Sequence, residues 1–131
     1  MDFKDKFIQL SYSKQDNPDN MKVKYIINKL QCFYSEEQRD VFADDGSIEH
    51  ILPESTGEKA LNIGNMILLE ATLNNEAGEE VYTEKISIYR KSKYNWVKRF
   101  IEEHDRWDEK LINVRAEKMA DVYYHQVLKR R

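Results

Sequence analysis

Cysteine is nearly missing from this chain: Cys32 is the only one in 131 residues. A single thiol cannot close an internal disulfide. It also excludes a structural zinc site built from four cysteines, or from two cysteines and two histidines. The same scarcity points to a reducing compartment, so a cytoplasmic protein is expected. No apolar run approaches the ~20 residues needed to cross a bilayer. The first ten residues, MDFKDKFIQL, lack an apolar signal core and a small-residue cleavage site, so no membrane partner is expected. Internal repeats and low-complexity tracts are absent as well. At 131 residues the chain is expected to form one domain, large enough for a core of its own.

What is present is charge, unevenly distributed. The net charge is −3, which by itself argues weakly against a nucleic-acid partner. Yet residues 85–99, KISIYRKSKYNWVKR, carry six basic side chains and no acid, and the chain ends Lys129-Arg130-Arg131. Acids gather in 35–58 and 102–109. Such segregation fits a metal site beside a phosphate track, and it equally fits solvated helix faces. From charge alone the second, plainer reading is preferred.

Hydrophobic spacing gives the outline. Residues 11–20, SYSKQDNPDN, read as a loop. Val23, Ile26, Ile27, Leu30 and then Phe33 or Tyr34 predict a helix over 21–34, with Asp19 or Asn20 as its N-cap. Residues 35–47 read as acidic and irregular, ending in the turn signal Asp44-Asp45-Gly46-Ser47. A short strand is expected around 47–52, ended by Pro53, and a second at Met66-Ile67-Leu68-Leu69. A short helix over 70–77 with Gly78 as its stop follows. Residues 80–92 read as another helix, with Val81, Ile86 and Tyr89 on one side. From Tyr94 onward the chain reads as helical. Trp96, Val97, Phe100 and Ile101 form one stripe, and Trp107, Leu111, Val114 and Met119 begin another, capped by Asp105 or Asp108. Tyr123, Tyr124 and Val127 continue the pattern. The expected fold class is α+β, mostly helical. A two-stranded hairpin core over about 46–92 is flanked by helices at about 21–34 and 94–130.

Within that outline, IEHILP at 48–53 stands out. A buried strand reads as continuous Ile, Leu and Val, and here Glu49 and His50 interrupt it. Polar groups in such a place need partners or a function. Asn65 follows His50 by fifteen positions, and Asn74 follows Asn65 by nine, across strand, loop, strand and helix. This order resembles the ββα-metal core of HNH (His-Me finger) nucleases. IEHILP, IGNMILL, LNNEAG and a Tyr-x-x-Lys ahead of IYRKS are together similar to the C-terminal nuclease domain of GmrSD-type modification-dependent restriction endonucleases. The resemblance covers about residues 20–128. Three positions depart from the usual pattern: Met66 and Ile67 in Gly-Asn-Met-Ile, where Gly-Asn-Leu-Thr is common, and Glu79 where Asn is frequent.

The resemblance implies a metal-dependent DNA endonuclease active in phage defence or restriction of modified DNA. His50 would be the general base, and Glu49 and Asn74 would hold Mg²⁺ or Mn²⁺ through oxygen donors. Asn65 would pin the connecting loop and so orient His50. Asn75 stays open as an alternative to Asn74. Lys91 and Lys93 are candidate DNA contacts. So is Lys85, which otherwise reads as a solvated helix residue, and so is Arg115, which otherwise closes a buried ion pair. His104 and His125 receive no role. The resemblance also implies an upstream nucleotide-using domain or subunit, and is compatible with this chain being a domain excised from a longer protein. One stereochemical difficulty is visible already: neighbours on a regular strand face opposite ways, so Glu49 and His50 share a site only if the strand ends there. The alternative function is a non-catalytic module that binds DNA or a partner protein on a degenerate nuclease fold.

Overall fold

The computed structural model describes residues 2–35 and 46–129. The expectation for the acidic stretch 36–45, and for Arg130 and Arg131, lies outside the described residues. Among the described residues six α-helices surround one antiparallel hairpin, an α+β architecture that is mostly helical. The order is α1 (Phe3–Phe7), α2 (Asn20–Ser35), β1 (Gly46–His50), β2 (Met66–Glu70), α3 (Ala71–Ala77), α4 (Tyr82–Tyr89), α5 (Asn95–Glu103) and α6 (Glu109–Val122). A π-helical turn, Tyr123–Val127, ends the fold.

The hairpin is the centre of the core. Its register pairs Gly46 with Glu70 and His50 with Met66. All five residues of β2 are buried, because helices cover both of its faces. The first strand ends at His50, earlier than the expected 52. Ile51 N–H still bonds Asn65 O at 2.9 Å, but Pro53 has no N–H with which to continue a ladder.

Helix α2 buries Val23, Ile26, Ile27 and Leu30 at the spacing of one helical face. Of the two aromatic residues at its end, Tyr34 stacks on Trp96 with centroids 5.0 Å apart, while Phe33 is 40% exposed. The side chains of Asp19 and Asn20 reach back to the N-terminal strap, where they accept from Ser11 N and Ser13 N. Gly78 closes α3 with a φ of +48°, a backbone state that glycine adopts cheaply.

Two predicted helix faces are rotated. On α4 the buried side is Tyr82, Lys85 and Tyr89, whereas Val81 is the N-cap residue and 59% exposed. On α6 the buried side is Ile112, Ala116, Met119 and Ala120, and Val114 is 49% exposed. Asp108 is the residue that caps α6, accepting from Leu111 N at 3.0 Å. The tertiary contact that sets this rotation is Gly64. A Cβ there would lie 2.2 Å from Ile112 O and 2.9 Å from Ala116 Cβ, so the backbone of α6 rests directly against the start of β2. That is why the IGN motif carries a glycine.

Candidate active site at the end of the hairpin

His50 is the last residue of β1 and is 2% exposed. Its Nε2 lies 2.9 Å from Tyr12 O. A carbonyl only accepts, so Nε2 carries the hydrogen and Nδ1 carries the lone pair in the neutral ring. Nδ1 is buried and makes no hydrogen bond among the described residues. Burial lowers the imidazole below its ordinary range. The Tyr12 bond and the Glu54 carboxylate oppose that shift, and Lys14 and Lys85 add to it. The ring is therefore neutral at neutral pH, the state a proton acceptor needs.

Tyr12 belongs to a strap that crosses the hairpin end. Glu54, right after Pro53, fastens it, accepting from Ser13 Oγ at 2.7 Å and Lys14 N at 3.0 Å. The same carboxylate stands 3.5 Å from His50 Nε2. Neither Tyr12 nor Glu54 was marked as a site residue by sequence reasoning. Glu54 was signalled only by its place in HILPE; Tyr12 is 38 residues from His50 and had no local signal.

Glu49 is 1% exposed and faces α4 instead. Its Oε2 accepts from Lys85 Nζ at 2.9 Å and from the Tyr89 hydroxyl. Burial raises the carboxyl above its usual value, opposed by the Lys85 charge and the Tyr89 hydrogen bond. Lys85 also donates to His50 O at 2.7 Å and is 0% exposed. This corrects the reading of Lys85 as a phosphate contact: its ammonium is sealed among protein oxygens. Tyr89, one helical turn beyond Lys85, was likewise missed; its spacing placed it on the Lys85 face.

Asn74, on α3, donates from Nδ2 to Ser47 Oγ and Ile48 O, each at 2.9 Å. Ser47 and Glu49 share one face of β1, so Asn74 approaches the strand on the Glu49 side. Asn75 is exposed. Asn65 spends its amide on the loop. Its Oδ1 accepts from Leu52 N at 2.8 Å and Trp107 Nε1 at 3.0 Å, and Nδ2 donates to Leu52 O and Ala60 O, each at 2.8 Å. Arg115 is a staple between α6 and β2. Its Nη1 donates to Gly64 O at 2.8 Å and Met66 O at 2.7 Å, and its guanidinium carbon lies 5.2 Å from both the Trp96 and Phe100 rings. That environment lowers its pKa to about 10, chiefly by burial. Lys91 and Lys93 are exposed after α4, with Lys91 2.8 Å from Glu76.

Glu49 and Asn74 carry oxygen donors of the kind a hard divalent cation takes. Both bonds to Glu49 fall on Oε2 and both from Asn74 leave Nδ2, so Glu49 Oε1 and Asn74 Oδ1 carry none of these hydrogen bonds. Two oxygen donors suffice for Mg²⁺, which keeps several waters and takes the rest of its shell from substrate phosphate. Among the described residues no cluster of three His, Cys, Asp or Glu side chains forms a fuller cage.

A mostly helical α+β domain, built on a hairpin that ends in a buried neutral histidine and runs into a short helix, is the class that fold and site define. The sequence matches the family described as GmrSD restriction endonucleases, C-terminal domain, over residues 1–122. The chain belongs to that family. No curated protein matches it. Membership gives the chain a restriction-endonuclease-related role, with nuclease activity and a DNA substrate as the family's implication. Among the described residues no helix is long and apolar enough to cross a membrane.

Proposed function

We propose that this chain is a metal-dependent DNA endonuclease domain of the HNH type, with His50 as general base. The observation that carries the reading is the state of His50: Nε2–H is tied to Tyr12 O, and Nδ1 is a neutral lone pair without a partner among the described residues. Nδ1 takes the proton of a water as its oxygen attacks phosphorus and the P–O bond to the leaving sugar oxygen breaks; the Tyr12 carbonyl selects the tautomer of the neutral ring and stabilises the imidazolium that forms. Asn65 holds the loop on which the ring's backbone depends. Glu49 Oε1 and Asn74 Oδ1 would hold Mg²⁺ or Mn²⁺, which would supply charge stabilisation to the reacting phosphoryl group. His50 is 2% exposed, so a phosphodiester reaches Nδ1 only after a local opening that leaves the Tyr12 bond in place.

Lys91 and Lys93 track phosphates in this reading. Phage defence, recognition of modified DNA and an upstream nucleotide-using domain or subunit complete it. One observation favours a second reading, a non-catalytic module: Glu49, Lys85 and Tyr89 close on one another as a buried structural network would.

Supercoiled plasmid with Mg²⁺ or Mn²⁺, against EDTA, separates the two. Cation-dependent nicking that drops ~10²–10⁴-fold in His50→Ala is expected, with DNA affinity retained. Undiminished nicking by that variant would remove His50 as the base. DNA binding by the wild type with no cleavage under any cation would favour the non-catalytic module.

A further inference from the structure

A single buried ammonium grips two consecutive residues of the site. Lys85 Nζ is 2.9 Å from Glu49 Oε2 and 2.7 Å from His50 O, so it holds the side chain of one and the main chain of the next. Tyr89 donates to the same Oε2 from one turn further along α4. The grip falls on the last two residues of β1.

Burying a charged pair is expensive, and apolar residues of similar volume commonly replace such pairs without loss of stability. The Lys85 ammonium is 0% exposed and its hydrogen bonds go to protein oxygens. What the pair does supply is geometry. Adjacent strand residues point to opposite faces, and a frayed strand end would let Glu49 and His50 turn independently. Lys85 and Tyr89 remove that freedom by fastening both to one helix.

We propose that Lys85, assisted by Tyr89, is a positioning residue that fixes the relative orientation of Glu49 and His50. The inference rests on the reading of His50 as the base, and its consequences differ from those of a DNA contact.

The test is steady-state nicking of supercoiled plasmid with Mn²⁺ by wild type, Lys85→Met and Tyr89→Phe. Misplacement of a reacting group by about 1 Å costs on the order of 10²-fold. Lys85→Met is therefore expected to lose roughly 10–100-fold in kcat, with KM and the salt dependence of DNA binding unchanged. Tyr89→Phe, which keeps ring and volume, should lose less. A raised KM with a flatter salt dependence and an intact kcat would make Lys85 a phosphate contact and overturn the proposal; so would wild-type kcat in both variants.

If Lys85→Met fails to fold because Glu49 is left uncompensated, Tyr89→Phe carries the test. If the wild type does not cleave at all, the function reading falls and hydrogen exchange decides the positioning claim. Amides of residues 49–51 should then exchange at least ~10-fold faster in Tyr89→Phe while α6 amides keep their protection. Equal protection at 49–51 would overturn it.

Discussion

A histidine's partners decide what its charge does. His50 is buried, and burial is the leading reason its proton is held less tightly than in water. The unfolded chain takes up that proton as pH falls through ~6.5, while the folded chain resists it until lower pH. The contribution of a neutral His50 to stability is thus complete above pH ~6.5 and is lost as pH falls through the window below it. Glu49, raised by burial, acts with the opposite sign. Glu54 and Glu79, both lowered, act with the same sign as His50 but in the carboxylate range. Urea unfolding of wild type and His50→Asn at several pH values between ~7.5 and ~5 isolates the histidine. The wild type should lose stability over that window more steeply than the variant; parallel curves would refute the lowered pKa. The acid limb of nicking activity should likewise lie below ~6.5.

Elements here are placed by close approach as much as by apolar area. Helix α6 can pass the start of β2 only because Gly64 has no side chain. Arg115, Trp107 and Asn65 then tie the same helix-to-hairpin seam through backbone carbonyls and an indole N–H. Gly64→Ala would force a Cβ to within 2.2 Å of Ile112 O, a backbone atom that cannot rotate away. A loss of at least ~1–3 kcal/mol is expected, the usual cost of overpacking, read as a lower denaturant midpoint. Because Asn65 is the next residue, activity per folded molecule should fall as well. Wild-type stability in the Gly64→Ala variant would mean that α6 stands further from the hairpin.

Over the whole molecule, charge that looked uniform along residues 85–99 divides into two populations. Lys85 is inside; Lys91 and Lys93 are at the surface. The Lys91–Glu76 pair is exposed, and such pairs contribute little, so a phosphate displaces it readily. Each phosphate contact adds about −0.9 to the slope of log affinity against log salt. Replacing Lys91 and Lys93 together with Gln should flatten that slope by roughly one to two units, measured by fluorescence anisotropy on duplex DNA. An unchanged slope would move the DNA surface away from the end of α4.

Periodicity and turn chemistry were enough to place the hairpin, most of the helices and the stop at Gly78, because those are decided by residues within a few positions of one another. The order His50, Asn65, Asn74 also lay in the sequence, and with it the family. What the sequence left open was the direction of each polar side chain. Lys85 finds Glu49 36 positions away, and Arg115 finds Gly64 51 positions away. A basic residue on a helix looks alike in the sequence whether it meets water or a buried carboxylate. Only the packing of α4 against β1 and of α6 against β2 chose between them, since a buried charge persists only where the fold brings its partner to it.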